Sequence, residues 1–382
     1  RQNGDRALVR HARELDGLGT KQSIRVSEPE LRKAWDRASP QLKKALRAAE
    51  KNIRRFCRWQ MPKEWLRAAD GISLGQLVRP LNSAGCYVPG GRFPLVSTLL
   101  MTVIPAQVAG VQNIHVVSPR PSAETLAAAW MLGVREFYRV GGAQAIAALA
   151  YGTETIPRVE KIVGPGSSFV TAAKKLVSFD CAIDMLAGPT EVVIVSGHGN
   201  PAFIAADLVA QAEHDPETLA VFITTSRQLA ADVAHCVGQG GGGRPPLHQN
   251  AIAACSIGTR GAALIAASRQ EAFDWANRIA PEHITVEKSA LPLVQNAGSV
   301  FVGDYSAQAA GDYASGPNHV LPTAGAARFR GGLSVMDFVK LITVQELSST
   351  GLQRIAPAVL RLAETEGLRA HADSIRVRCA NA

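Results

Sequence analysis

The clearest prediction of the fold comes from residues Ile114 to Tyr151, which read IHVVSPRPSAETLAAAWMLGVREFYRVGGAQAIAALAY. Two short apolar segments, Ile114–Ser118 and Glu136–Val140, precede two alanine-rich segments, Ala123–Leu132 and Ala143–Tyr151. Short apolar runs are typical of buried strands, whereas alanine-rich runs of about ten residues favour helices. Because the two kinds of segment alternate, the stretch predicts β-α-β units in which helices cover parallel strands.

The same alternation continues on both sides of this stretch. A helix is expected near Ser97–Ala109, a strand at Lys161–Val163 and a helix at Ser168–Val177. A second series of strand-like segments follows, at Glu191–Ser196, Leu219–Thr225 and Ala262–Ala267. We therefore expect two α/β units rather than one long sheet.

The length and the two ends of the chain complete the predicted organisation. Its 382 residues exceed the roughly 250–300 at which a single hydrophobic core stops growing. Residues 1–75 are charged and have helical periodicity, and the chain after about Gly331 is again helical, apart from an alternating stretch at Ser374–Arg378. The predicted class is α/β, with two Rossmann-like parallel-sheet domains and helical N- and C-terminal segments.

The composition argues against several classes of protein. Hydrophobic residues make up 47% and charged residues 19% of the chain, as in ordinary folded proteins. The net charge is +9, but the basic residues are mostly scattered and aromatic residues amount to only 5%, so no nucleic-acid partner is expected. Neither a signal peptide nor a long apolar span is present, so no membrane partner is expected.

The cysteines indicate the compartment. The six cysteines form no CxxC pair and no closely spaced group. This argues against a disulfide framework and against a cysteine zinc site, and it fits a reducing cytoplasm.

The strongest local signal for chemistry is Ala280-Pro281-Glu282-His283-Ile284, where a helix ends and an apolar strand begins. Histidine titrates near neutral pH, and a glutamate can activate a water molecule, so the pair could serve as an acid/base centre. A surface glutamate beside a histidine that caps the helix is the more frequent explanation of such a dipeptide taken alone.

A second signal is Gln211-Ala-Glu213-His214-Asp215, at the end of a predicted helix. Gln211 and His214 are three residues apart, so they share a helix face and can reach one metal ion. Ligand chemistry alone favours His214 with Glu213 or Asp215, because a neutral amide is a poor ligand for zinc. A histidine that merely interacts with the helix dipole is an equally good explanation.

Two further segments combine polar side chains with turn-forming residues. The loop at residues 309–323 holds Asp312, Asn318 and His319 together with two glycines, which allows close approach to a ligand. Glu366 and His371 end a helix far downstream and, on their own, would be interpreted as surface residues.

Two glycine-rich turns could receive phosphates. They are Tyr87-Val-Pro-Gly-Gly-Arg92 and Gly164-Pro-Gly-Ser-Ser168. Backbone N–H groups of such turns can face a pyrophosphate. Neither turn matches the dinucleotide or Walker A pattern, and simple tight turns explain them equally well.

Taken together and in this order, these segments resemble histidinol dehydrogenases over essentially the whole chain. The stretches that carry the resemblance are YVPGG from Tyr87, VGGAQAIAALAYGT from Val140, IVGPG from Ile162, AGPTEV from Ala187, ADLVAQAEH from Ala206, PEH from Pro281, GDYASGPNHVLPT from Gly311 and EGLRAH from Glu366.

The resemblance implies a role for each matching position. Zinc, one ion per subunit, would be held by Gln211, His214, Asp312 and His371, which overrides the choice of Glu213 or Asp215. The substrate would contact these four residues together with Thr190, His283, His319 and Glu366. NAD would contact Tyr87, Gln144 and Ser167. Glu282 and His283 would be the catalytic pair.

The resemblance also implies an activity, a domain arrangement and a partner. The activity is the four-electron, NAD-dependent oxidation of L-histidinol through L-histidinal to L-histidine. Residues 1–86 with 190–333 would form the first domain, residues 87–189 the second, cofactor-binding domain, and residues 334–382 a dimerisation segment. In the implied homodimer, Glu366 and His371 would enter the active site of the other subunit.

This sequence departs from the family pattern at three places. Ser167 stands where the family usually has asparagine, which weakens one expected cofactor contact. Ser-Gly-His-Gly at 196–199 replaces a more usual acidic loop start. The segment that normally precedes Arg1 is missing, which we interpret as a trimmed N-terminus.

Three other functions compete with this prediction. The nearest is a dehydrogenase on the same scaffold that oxidises another polar alcohol, such as a sulfonated diol. Glu366, His319 and the segment at residues 332–339 match the histidinol enzymes better. The second is a zinc hydrolase that uses Glu282 or Glu213 on a metal-bound water and needs no NAD. The third is a non-catalytic basic protein that binds nucleic acid in a salt-dependent way.

Overall fold

The structure, a computed structural model, describes residues 2–90, 95–239 and 247–380. The chain divides into two compact units. The first contains residues 1–60 and 81–338, and the second contains residues 61–80 and 339–382. The predicted domain boundaries stay a prediction.

The first unit contains three N-terminal helices and two series of alternating strands and helices. The N-terminal helices are α1 (Gly4–Leu15), α2 (Glu28–Arg37) and α3 (Pro40–Gln60). The first series is β3 (Ser83–Tyr87), α4 (Val96–Ala109), β4 (Asn113–Val117), α5 (Ala123–Met131), β5 (Glu136–Tyr138), α6 (Gly142–Tyr151), β6 (Lys161–Val163), α7 (Ser168–Val177) and β7 (Ala182–Ile183). The second series is β8 (Glu191–Val195), α8 (Pro201–Ala212), β9 (Leu219–Thr224), α9 (Arg227–Gly238), α10 (Ala251–Arg260), β10 (Gly261–Ile265), α11 (Arg269–Ile279), β11 (His283–Val286), β12 (Ser299–Val302) and α12 (Gln308–Tyr313).

Each series forms a five-stranded parallel sheet. The strand orders are β5-β4-β3-β6-β7 and β10-β9-β8-β11-β12. In both sheets the first strand of the series lies in the centre. The second and third strands extend the sheet on one side of it, and the fourth and fifth strands extend it on the other side. The strand order therefore reverses between the neighbouring first and fourth strands. Ligands of open parallel sheets bind at this switch point. The predicted class, with two Rossmann-like parallel sheets, is confirmed.

The central strand β8 illustrates why these sequences form parallel sheets. Val192 and Ile194 are buried against α8 on one face, and Val193 and Val195 are buried in the core that includes α11 on the other. A strand that is covered on both faces needs a continuous apolar run rather than an alternating one. The run Glu191–Val195 meets this need.

The second unit differs from the sequence-based expectation. It contains an antiparallel sheet of three strands, β1 (Trp65–Ala69), β2 (Ile72–Pro80) and β13 (Val339–Leu347), with β2 in the centre. Two helices, α13 (Ser349–Thr365) and α14 (Arg369–Ala380), complete the unit. The expectation that residues 1–75 and the chain beyond Gly331 are helical is therefore wrong at these three strands.

Two of the predicted glycine-rich segments lie partly outside the residues that the structure describes. The turn at residues 87–92 is described only through Gly90, and the glycine-rich loop after Gly238 lies largely outside the described residues. In the part of the chain that the structure describes, no helix combines the length and apolar character needed to cross a membrane.

Candidate functional site

The predicted catalytic pair lies at the amino end of β11. Helix α11 ends at Ile279, and Ala280 then adopts a left-handed conformation with φ of 54°. This conformation is unusual for a residue with a side chain, and such positions concentrate at functional sites. The turn carries Glu282 and His283 directly into the strand, as the sequence predicted.

Glu282 is buried at the start of the second sheet, with only 6% of its surface exposed. Its Oε2 accepts a hydrogen bond of 3.2 Å from the backbone N–H of Glu191, the first residue of β8. Burial raises the pKa of Glu282 to about 7, although His283, the Glu191 N–H and the Thr190 side chain each favour the ionised form. A carboxyl with this pKa can exchange protons near neutral pH.

His283 lies between two carboxylates. Its Nδ1 is 3.6 Å from Oε2 of Glu282, and its Nε2 is 3.6 Å from Oδ1 of Asp312. Burial by itself lowers the pKa of His283, but the two carboxylates outweigh burial and the pKa is raised. Neither ring nitrogen makes a hydrogen bond of normal length although both are buried. Each ring nitrogen instead faces a carboxylate oxygen just beyond hydrogen-bond distance.

Two of the four predicted zinc ligands, Gln211 and Asp312, are in contact beside His283, and a third, His214, lies near Asp312. Gln211, which is 2% exposed, lies at the end of α8 with its Nε2 3.5 Å from Oδ2 of Asp312. His214 follows α8 and is close enough to lower the pKa of Asp312, although burial is the largest single effect and acts in the opposite direction. The two carboxylates that ligand chemistry alone favours for zinc have other partners. Glu213 accepts a hydrogen bond from Asn250, and Asp215 accepts one from the N–H of Glu217.

The donors of this cluster suit zinc but do not complete its coordination. Imidazole nitrogen and carboxylate oxygen are ordinary zinc ligands. The amide of Gln211 can turn about its last bond to offer its oxygen, since the two ends of an amide are assigned from their partners. Among the described residues, no group of three or more His, Cys, Asp or Glu side chains is placed to hold a metal. A zinc ion bound by Gln211, His214 and Asp312 would therefore need a further ligand.

The predicted substrate contact His319 borders the same cluster. Its Nδ1 is 2.8 Å from the backbone oxygen of Asp312, and its Nε2 is 3.3 Å from the hydroxyl of Thr98. Burial lowers the pKa of His319, against the effect of Asp312. A cavity of about 590 Å³ opens beside His214 and Tyr313 and is lined by apolar residues of α3 and α4. The site thus combines a polar end with an apolar wall.

The predicted cofactor residues lie at the carboxyl edge of the first sheet. The Tyr87 hydroxyl, at the end of β3, accepts a hydrogen bond of 3.1 Å from the N–H of Gly142, the first residue of α6. Gln144 lies in the same helical turn, and its Nε2 donates to Asp16 over 3.1 Å. Ser167 is the N-cap of α7, and its side chain makes no capping hydrogen bond. Tyr87 and Gln144 are thus brought together.

Glu366 and His371 belong to the second unit. Glu366 is the C-cap of α13, and His371 lies in the first turn of α14. Both side chains are exposed. Their predicted roles stay predictions.

Sequence reasoning missed two residues that the structure connects to the site. Glu191 lies beside Glu282, and its Oε1 accepts from the N–H of Ala324. A glutamate that opens a buried apolar strand was a signal in the sequence for this position. Asp16 is separated by more than a hundred residues from Gln144, and no signal in the sequence joins the two.

Comparisons with known proteins show which proteins the chain resembles. A family model described as histidinol dehydrogenase matches residues 1–379. Histidinol dehydrogenase of Methanothermobacter thermautotrophicus is 47% identical, over 99% of this chain and 90% of its own. That of Geobacter metallireducens is 43% identical, over 99% and 89%. A crystal structure of histidinol dehydrogenase from Elizabethkingia anophelis superimposes with a TM-score of 0.94 at 36% identity, over 99% of this chain and 89% of that one.

Proposed function

Because the chain belongs to the histidinol dehydrogenase family, we propose that it oxidises L-histidinol through L-histidinal to L-histidine with NAD as hydride acceptor. The observation that carries the proposal is the buried line of Glu282, His283 and Asp312, in which the imidazole lies 3.6 Å from each carboxylate. Full-length matches to histidinol dehydrogenases do not favour an enzyme for another alcohol or a zinc hydrolase.

The reaction has two oxidation steps that need different proton transfers. In the first, the alcohol carbon loses a hydride and its hydroxyl loses a proton. In the second, a water molecule adds to the aldehyde, and the hydrate then loses a second hydride. In total, the alcohol, one water and two NAD give the carboxylate, two NADH and three protons.

We assign the two kinds of proton transfer to the two members of the catalytic pair. His283 accepts the hydroxyl proton in each oxidation step, since its unpaired ring nitrogens face carboxylates that stabilise the imidazolium. Glu282 accepts a proton from the water that attacks the aldehyde, since a pKa of about 7 suits a base near neutral pH. When bound, NAD supplies the hydride acceptor, and zinc orients the amine and imidazole nitrogens of the substrate.

The residues that would bind the metal and the substrate follow from the same assignment. Gln211, His214, Asp312 and His371 would hold one zinc ion per subunit. Thr190, His319 and Glu366 would contact the substrate with them, and Tyr87, Gln144 and Ser167 would contact NAD. We further propose a cytoplasmic homodimer, in which Glu366 and His371 of each subunit complete the site of the other. The six free thiols fit such a compartment.

An assay of NADH formation tests the proposed function. With L-histidinol as the limiting substrate, we expect two NADH per molecule, and we expect a chelator to abolish the reaction and zinc to restore it. Reaction without NAD would instead indicate a hydrolase. A complete lack of NADH formation with added zinc and NAD would contradict the proposed substrate.

A further inference from the structure

We propose that Asp16 is a positioning residue that fixes the side-chain amide of Gln144, so that the amide presents its oxygen to the dinucleotide. The dinucleotide must then offer a hydrogen-bond donor at this point, such as a ribose hydroxyl or an amino group. This inference rests on the proposed function, because it takes the edge of the first sheet next to Tyr87 as the NAD site.

Asp16 is the C-cap of α1 and is buried, with 8% of its surface exposed. Its Oδ2 accepts two hydrogen bonds from the start of α6, one of 2.9 Å from the N–H of Gly141 and one of 3.1 Å from Nε2 of Gln144. An ionised carboxylate has only acceptors, whereas an amide has a donor end and an acceptor end. The NH₂ end of Gln144 must therefore face Asp16.

The oxygen of Gln144 is consequently turned away from Asp16. It lies over Gly142, where a Cβ atom would come within 2.7 Å of this oxygen. Gly142 has φ of +61°, so glycine is favoured here both by its conformation and by the space that the amide occupies. Gly142 also donates its N–H to the Tyr87 hydroxyl at the end of β3. The oxygen thus lies at the edge of the sheet where a dinucleotide binds in this topology.

A purely structural role for Asp16 is the alternative, since it could simply attach α1 to α6. The chain offers a matched control at the other end of the same helix. Asp5 of α1 accepts from both the N–H and the hydroxyl of Thr155, which follows α6. Loss of Asp5 should loosen α1 without changing the orientation of Gln144.

The experiment measures the affinity for NADH by its fluorescence on binding, together with KM for NAD and kcat. In Asp16→Leu, both bonds to Oδ2 are lost, so nothing holds the NH₂ end of Gln144 inward and its oxygen is free to turn away from the dinucleotide. We expect NADH binding to weaken about tenfold, which is the effect of about one hydrogen bond. KM for NAD should rise in parallel, while kcat at saturating NAD and KM for L-histidinol should change little. Asp5→Leu should bind NADH as the wild type does.

A double variant tests the orientation directly. Gln144→Glu alone places two carboxylates side by side and should weaken NADH binding at least as much as Asp16→Leu. In the double variant Asp16→Leu/Gln144→Glu, the repulsion is removed and both ends of the side chain at position 144 are oxygen, so an oxygen faces the dinucleotide in either orientation. We expect affinity to return to within about threefold of the wild type, since the hydrogen bond is restored.

Several results would overturn the inference. They are unchanged NADH affinity in Asp16→Leu or Gln144→Glu, an equal loss in Asp5→Leu, and a double variant no better than the single ones. Each is distinct from failure of the proposed function, in which the wild-type protein itself would form no NADH from L-histidinol. If Asp16→Leu does not fold, Gln144→Glu alone still decides, because unchanged NADH affinity in it overturns the inference.

Discussion

At the scale of single residues, the environment of the catalytic pair separates two proton acceptors that are adjacent in sequence. Glu282 is held by the N–H of Glu191 and lies near Thr190, whereas His283 lies between two carboxylates. The pKa of each group is raised, that of Glu282 by burial and that of His283 by the two carboxylates against the effect of burial. Because the two groups are tuned by different causes, we assign them to different half-reactions.

Substitutions of the pair should separate these half-reactions. His283→Asn keeps the size of the side chain but removes the base, so we expect oxidation of L-histidinol to fall by roughly 10²–10⁴-fold. Glu282→Gln should chiefly slow the reaction that starts from L-histidinal, because only this reaction consumes water. Single-turnover NADH formation from each substrate measures the two effects. Equal and small losses in both variants would remove the pair from the mechanism.

The pH dependence of the aldehyde reaction provides a control for Glu282. A base must be deprotonated to act, and its pKa of about 7 predicts that the rate from L-histidinal rises with pH toward a plateau above about 7. Glu282→Gln should lose this limb of the profile. If the limb stays in the variant, it belongs to another group.

At the scale of elements, a buried ion pair fixes the turn between β6 and α7. Lys174 of α7 and Asp184 are 2% and 0% exposed. Lys174 donates to the backbone oxygen of Gly164, and Asp184 accepts from the N–H of the same residue over 2.7 Å. Gly164 has φ of +111°, and a Cβ there would lie 2.2 Å from the backbone oxygen of Tyr87. The turn that leads to Ser167 is thus held from both sides.

Removal of one partner of this pair should be worse than removal of both. Lys174→Met leaves the Asp184 carboxylate buried without its cation, which typically costs about 3–5 kcal/mol of unfolding free energy. The double variant Lys174→Met/Asp184→Leu should recover part of that loss, since it leaves no unpaired buried charge. Recovery is incomplete because Asp184→Leu also removes the acceptor of the Gly164 N–H. Denaturant unfolding of the two proteins measures the difference. A single variant as stable as the wild type would show that the pair does not support the turn.

The elements also show what could be predicted from the sequence. The continuous apolar run at Glu191–Val195 is typical of a strand covered on both faces, so the parallel sheets were predictable. The strand Trp65–Ala69 is exposed along its whole length, and Val339–Leu347 is exposed at most positions. Neither has the one-sided apolar pattern that normally reveals an antiparallel strand. Their pairing with β2 could not be read from local pattern.

At the scale of the whole chain, the two sheets have the same strand order, but the residues that we propose for function lie at opposite ends of their strands. The first presents Tyr87 at its carboxyl edge, whereas the second carries Glu191 and Glu282 at the amino ends of its strands. At the carboxyl edge of the second sheet, the Glu287 carboxylate lies 3.4 Å from the N–H of Gly197 and 3.2 Å from Nε2 of His198. The chain's own carboxylate therefore contacts this turn.

Contacts between residues that are distant in sequence also limit how much of the site could be predicted. Gln211 and Asp312 are 101 residues apart, and Asp16 and Gln144 are 128 apart. Spacing within a helix suggested Gln211 with His214, but only the resemblance brought Asp312 to the same ion. The order of strands in the second sheet, which brings β8 and β11 side by side, supplies the physical reason for the cluster around Glu282.

The proposed exchange of Glu366 and His371 between subunits predicts complementation of inactive variants. His283→Asn and His371→Asn should each be inactive, because one lacks the base and the other a zinc ligand. In a mixed dimer, one of the two sites would combine an intact His283 from one subunit with an intact His371 from the other. Co-expression with two different affinity tags isolates this dimer, and we expect NADH formation from L-histidinol to reappear in it. The matched control pairs His283→Asn with His214→Asn, which would lack another proposed zinc ligand. Both substitutions lie in the first unit, so that every site in this mixed dimer keeps one of them. Activity in neither mixed dimer would mean that each subunit builds its own site.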